Sequence, residues 1–250
     1  MRNLILSFIM ALSVIGCSTV SRENQEKSRI LLKAGSSQLE AGEYPSALKT
    51  LLEAQRLNPQ DPMVQNNLGL AYLMRDRADL AEEHVRQAIK LDPQYTEAKG
   101  NLGRVLNDRG RAQEAIPVLE EALKDLTYEK PARITLNLGI AHFKLKNYPK
   151  SREFFRKTLA YGRDNCLAQN YLGRTYFETK EYKEAAQILD RAVGFCKANQ
   201  FDEPHYYSAL AYYQLGNQKK AEALLEEVLR IYSGGSYHDR AKSLLETMRK

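Results

Sequence analysis

Few residues in this chain could do chemistry: three cysteines and four histidines among 250 residues, with carboxylates spread between them. A metal centre needs His, Cys, Asp or Glu at ligand spacing. His84, His142, His205 and His238 stand apart, and none lies in a His-Glu-x2-His pattern. Glu82-Glu83-His84 reads as a solvated charged face of an outer helix, and His142 as a packed core residue. Phosphate chemistry would ask for a glycine-rich loop and serine hydrolysis for a Gly-x-Ser-x-Gly elbow; the sequence carries neither. Glu120-Glu121 and Glu226-Glu227 fall at matched points of second helices and read as exposed features, not as an acid–base pair. The chain is therefore expected not to be an enzyme and to use no cofactor, metal or small-molecule substrate. The net charge of +6 is spread out, and no basic run interleaved with aromatics points to nucleic acid.

The cysteines carry more information. Arg2 precedes an uncharged apolar stretch, Leu4 to Gly16, too short to span a bilayer, which takes about 20 residues. It reads as a signal peptide over 1–16. Val14-Ile15-Gly16-Cys17 resembles the bacterial lipobox, which implies cleavage before Cys17 and acylation of that residue. Several acyl chains on one residue hold a protein firmly, whereas one is marginal. Ser18 in second place implies outer-membrane sorting with the array facing the periplasm. The alternative is an ordinary signal peptide with a coincidental Cys. The polar stretch up to Lys27 is expected to be a flexible tether (17–27). Cys166 and Cys196 are the other two cysteines. They fall at the start and end of one hairpin, so a disulfide is geometrically plausible and would be worth ~3–4 kcal/mol on the chain-entropy model. Two independent buried thiols are the alternative.

A regular array must position these residues. Ala34-Gly35, Leu68-Gly69, Leu102-Gly103, Leu138-Gly139 and Leu172-Gly173 recur at steps of 34, 34, 36 and 34 residues, and Ser208-Ala209 follows after 36. A period near 34 marks helical hairpins that cannot bury their apolar faces alone. Around each pair come further matches, such as Tyr72, Ala81, Val85, Ala88 and Pro93 in the second unit and Tyr176, Ala185, Leu189 and Ala192 in the fifth. Gly42, Gly110 and Gly216 suit helix C-caps, while Pro45 and Pro149 suit the start of second helices. The pattern resembles the tetratricopeptide repeat, without its usual early Trp. It predicts an all-α superhelix of six hairpins at 28–61, 62–95, 96–129, 132–165, 166–199 and 202–235. A capping helix is expected over 236–250, with Ser236 as N-cap.

In this repeat class the first helices line a concave groove through positions 2, 5, 9 and 12. Positions 5, 9 and 12 give Leu32, Ser36 and Leu39, then Asn66, Leu70 and Leu73, then Gly100, Arg104 and Asn107. The later repeats contribute Leu136, Ile140 and Phe143, then Asn170, Arg174 and Phe177, then Tyr206, Leu210 and Tyr213. The expected groove has a polar, cationic middle and apolar patches at repeats 1, 4 and 6. It would seat a peptide by its apolar side chains and use Arg104, Arg174 and the Asn residues for backbone or carboxylate contacts.

A lipobox, a tether, six repeats and a last helix resemble the type IV pilus pilotin family. The junction Leu123-Lys124-Asp125-Leu126-Thr127-Tyr128-Glu129-Lys130-Pro131, two residues longer than standard and leading to Asn137-Leu138-Gly139, is similar to one in that family. The resemblance implies a non-enzymatic outer-membrane lipoprotein whose protein partner is a secretin subunit, which it helps to localise and assemble in pilus biogenesis. An adaptor lipoprotein that scaffolds cell-wall enzymes or other envelope machinery is the alternative.

Overall fold

The computed structural model describes residues 20–197 and 200–249; Cys17 and the expected signal peptide over 1–16 lie outside them. The described residues form thirteen α-helices: α1 Arg22–Glu40, α2 Tyr44–Leu57, α3 Pro62–Leu73, α4 Ala78–Leu91, α5 Thr96–Asp108, α6 Ala112–Ala122 and α7 Pro131–Lys144. They continue with α8 Tyr148–Tyr161, α9 Cys166–Glu178, α10 Tyr182–Cys196, α11 Glu203–Gln214, α12 Gln218–Ile231 and α13 His238–Met248. Each odd helix up to α11 pairs with the even helix after it, and each pair stacks on the next. The odd helices also touch one another along the array, whereas no contact between successive even helices approaches this. The row whose members touch is the inner row of a curved stack, so the odd helices line the concave face of a superhelix.

Close approach within each hairpin explains the small residue of the repeat. A Cβ at Gly139 would sit 2.5 Å from the Phe155 ring, nearer than carbon atoms come. The same clash recurs sixteen residues apart at Gly35–Leu51, Gly69–Val85, Gly103–Leu119 and Gly173–Leu189. The large partner fills the space left by the missing side chain, and the hairpin's apolar stripe closes over it. Three hairpin turns use glycine at φ near +75°, namely Gly42, Gly110 and Gly216; Asp76, Lys146 and Lys180 adopt the same left-handed conformation without glycine's freedom.

The structure corrects three expectations. The tether is helical from Arg22, because Ser21 caps the Asn24 amide (3.1 Å) and a Glu23–Lys27 pair (2.7 Å) supports the first turns. The last helix starts at His238 and Ser236 does not cap it; the Tyr237 amide instead donates to the Asp202 carboxylate (2.7 Å), which fixes where the chain turns. Glu82 is buried rather than on a solvated face. Burial pushes its carboxyl up, yet Arg86 and Arg111 outweigh this and hold it below the usual carboxylate range. Arg109 completes the cluster at 2.5 Å. His142 is buried and stacked on Phe154 (5.5 Å), and neither ring nitrogen has a hydrogen-bond partner. Cys166 and Cys196 are joined by a disulfide (Cα–Cα 5.0 Å) that closes the open end of the α9–α10 hairpin.

Candidate protein-binding groove

The inner row divides the expected groove residues into three environments. Asn66, Asn107 and Asn170 are buried between neighbouring helices, and so is the side chain of Leu73, which packs with Ala81 and Val105. Asn66 accepts from Asn101 (2.8 Å), Asn107 donates to the Asn137 carbonyl (2.9 Å), and Asn170 donates to Glu203 (2.6 Å). These contacts tie one repeat to the next, and the Oδ1 atoms of Asn107 and Asn170 are buried without a partner. Their position faces the adjacent first helix, where each amide finds at least one partner.

The second environment is an open cleft of about 340 Å³ between α5, α7 and α9. It brings together Arg104, Leu136 and Ile140 from the expected set, with Gly100 and the edge of Asn107. Arg133, Lys144, Leu167 and Tyr171 add to its wall, as do Tyr128 and the carboxylates of Glu97 and Asp108. Arg104 is half-exposed, and its one carboxylate neighbour, Asp108, is 3.9 Å away. Arg133 pairs with Glu97 (3.1 Å), and the Lys144 ammonium donates to the Asn107 carbonyl. Cationic heads thus flank an apolar floor of Leu136, Ile140 and Leu167. This arrangement suits a segment with an apolar side chain beside an acidic or carbonyl group.

The third environment corrects the role given to Arg174. Its guanidinium lies over the rings of Phe143 (4.8 Å), Tyr171 (5.4 Å) and Tyr207 (4.7 Å) and pairs with the buried Glu203 at 2.8 Å. Glu203 also accepts from the Tyr237 hydroxyl. Arg174 is neutralised within the fold, so it stiffens the aromatic wall and does not reach for a ligand. Phe177 packs on Tyr182 and Tyr207, and Tyr206 on Tyr237. Burial pushes the Tyr171 hydroxyl up, so it stays protonated.

The remaining expected residues are dispersed. Leu32 and Ser36 border a separate depression with Arg29, Lys33 and Met63, and Leu39 packs in the first core. Leu70 and Leu210 are half-buried, and Tyr213 is exposed. Glu97, Arg133, Leu167 and Glu203 occupy position 2 of their repeats and Tyr171 and Tyr207 position 6; reading only positions 5, 9 and 12 passed over them. Among the described residues no cluster of His, Cys, Asp or Glu is placed to hold a metal ion. No described helix is long and apolar enough to cross a membrane.

Sequence profiles of the tetratricopeptide repeat match residues 32–96 and 136–203, and further profiles of the same repeat match 94–164 and 209–233. The chain belongs to the tetratricopeptide-repeat family. Among curated relatives it is 25% identical over 193 residues to the type IV pilus assembly protein PilF of Pseudomonas aeruginosa, covering 74% of this chain and 77% of that one. RNA polymerase II-associated protein 3 of Rattus norvegicus is 25% identical over 91% of this chain, but the match spans only 30% of that protein. Among solved structures, Pseudomonas aeruginosa PilF superposes with a TM-score of 0.73 at 21% identity, over 89% of this chain and 99% of that one. PilW, described as a widely conserved type IV pilus biogenesis factor, superposes with a TM-score of 0.77 at 20% identity, over 89% and 98%. The superhelix of this tetratricopeptide-repeat chain thus has the fold of both.

Proposed function

We propose that this tetratricopeptide-repeat chain is an outer-membrane lipoprotein, acylated at Cys17, that binds a secretin subunit and promotes its localisation and assembly in type IV pilus biogenesis. The observation that carries the reading is coextension: the fold matches PilF and PilW across nearly their whole length, not through a shared stretch of repeats. The lipobox and the open cleft between α5, α7 and α9 are consistent with it. In this mechanism the acyl chains hold the array at the periplasmic face of the outer membrane. The cleft takes an apolar-plus-acidic segment of the secretin subunit and raises its concentration where the ring must form. No bond is made or broken. A strain lacking the chain should lose heat-stable secretin multimers and surface pili, and both should return with the wild-type gene. Multimers that form normally in the deletion strain would contradict the proposal.

A further inference from the structure

The long junction between α6 and α7 lends Tyr128 to the wall of the cleft, and hydrogen bonds fix the rest of it. Asp125 accepts from the Thr127 amide (2.9 Å), the Thr127 hydroxyl (2.7 Å) and the Thr96 hydroxyl (2.6 Å), while Tyr128 packs on the core. Between these fixed points Leu126 is held 95% exposed. Alone such a leucine is ordinary; it becomes informative when other large apolar side chains are exposed on the same edge.

Every odd helix begins, and every even helix ends, on one edge of the array. Leu126 lies on that edge, and so do Met63 (52% exposed) at the start of α3, Tyr161 (60%) at the end of α8, and Phe195 near the end of α10. Basic residues stand beside three of these tips, Lys124 and Lys130 around Leu126, Arg163 after Tyr161 and Lys197 after Phe195, with Asp125, Glu129 and Asp164 interleaved and Lys124 paired to Glu121. Apolar tips with flanking cations suit the headgroup boundary of a bilayer.

The start of α1 also lies on this edge. The first buried residue of α1 is Ser28, so residues 22–27 stand out from the array by about 9 Å. Cys17 precedes Arg22 by five residues, a reach of at most ~18 Å. A chain acylated at Cys17 therefore keeps the α1 end of this edge within about 27 Å of the lipid.

We infer that this edge is a membrane-contacting surface, with Leu126 and Tyr161 entering the headgroup region of the leaflet that carries the Cys17 acyl chains. The inference rests on the acylation reading above. It sets the orientation of the array, laying the edge against the bilayer and leaving the concave face open sideways to a partner in the same membrane.

The test uses the full acylated chain in phosphatidylethanolamine–phosphatidylglycerol vesicles. An environment-sensitive fluorophore is placed on the new thiol of Leu126→Cys, Tyr161→Cys or, on the opposite edge, Leu145→Cys. Flotation and intact mass report acylation independently. Lipid-borne nitroxide should quench the labels at 126 and 161 at least about two-fold more than the label at 145, with blue-shifted emission. An acylated, floating chain whose labels at 126 and 161 are quenched no more than that at 145 overturns the inference alone. Labels that become shielded only when a protein partner is added assign the edge to that protein and also overturn it. A chain without acyl groups that stays in the aqueous phase overturns the anchoring reading, and the inference with it.

Discussion

The earlier repeats and the last two share one backbone plan, and their inner faces hold it in place by different chemistry. At position 6 of the repeat the second, third and fourth units carry amides, Asn67, Asn101 and Asn137, and the last two carry Tyr171 and Tyr207. On the inner face the amide region is joined by neutral hydrogen bonds such as Asn101 to Asn66, while the Glu82–Arg109–Arg111 cluster links second helix to following turn. The aromatic region is locked by Arg174, Glu203, three rings and Tyr237, and it also contains the disulfide. The open cleft lies where one chemistry gives way to the other, with Asn101 and Asn137 on one side and Tyr171 on the other. The contrast shows that a repeat can keep its geometry while its inner face changes from amide to aromatic, and that a cleft opens at the seam.

Breaking the aromatic region should cost most. Arg174→Ala leaves Glu203 buried without its cation, with an expected loss of about 3–5 kcal/mol in urea unfolding. Arg104→Ala, in the open cleft, should stay within about 0.5 kcal/mol, and equal losses at the two arginines would erase the distinction. Removing the bridge by Cys166→Ala with Cys196→Ala should cost about 3 kcal/mol, read as a lower midpoint under oxidising conditions and no difference from wild type in reductant. In the amide region, Asn101→Ala should cost about 1–2 kcal/mol by leaving Asn66 short of a donor.

A smaller effect concerns His142. Desolvation lowers its pKa, with Lys150 adding to this against Glu120 and Glu153, so the folded state favours the neutral ring. The unfolded chain then binds the proton more readily, and stability falls as pH drops below about 6.5. His142→Phe should raise stability by about 1 kcal/mol and flatten, without abolishing, that acid-side slope, because burial lowers His205 as well. An unchanged slope would place the titration elsewhere. The smallest expected change is at the turns: Lys180→Gly relieves a φ of +64° and should add about 0.5 kcal/mol, visible as a small rise in Tm.

The hairpins were legible because spacing within a repeat is a property of one short stretch. Gly139 and Phe155 are sixteen residues apart, and only a small residue opposite a large one lets the two helices meet. The site was legible only in part, because the fate of a groove side chain depends on the neighbouring repeat. Arg174 looked available until Glu203, from the next hairpin, was found 2.8 Å away. Glu82 looked solvated until Arg109 and Arg111 arrived from the loop of the following repeat. Position 2 supplied Glu97, Arg133, Leu167 and Glu203, a signal present in the repeat frame but not read residue by residue. The helical start at Arg22 depended on a local cap, Ser21 to Asn24, in a stretch whose polarity suggested a tether.

The most direct test of the central claim is titration of the purified chain with secretin subunit, comparing wild type with Arg104→Glu combined with Leu167→Ser, and with Leu52→Ser on the outer row. The cleft variant should bind at least about tenfold more weakly, equivalent to about 1.4 kcal/mol, while Leu52→Ser binds as wild type does. Unchanged affinity in the folded cleft variant would contradict the assignment of the α5–α7–α9 cleft as the docking site.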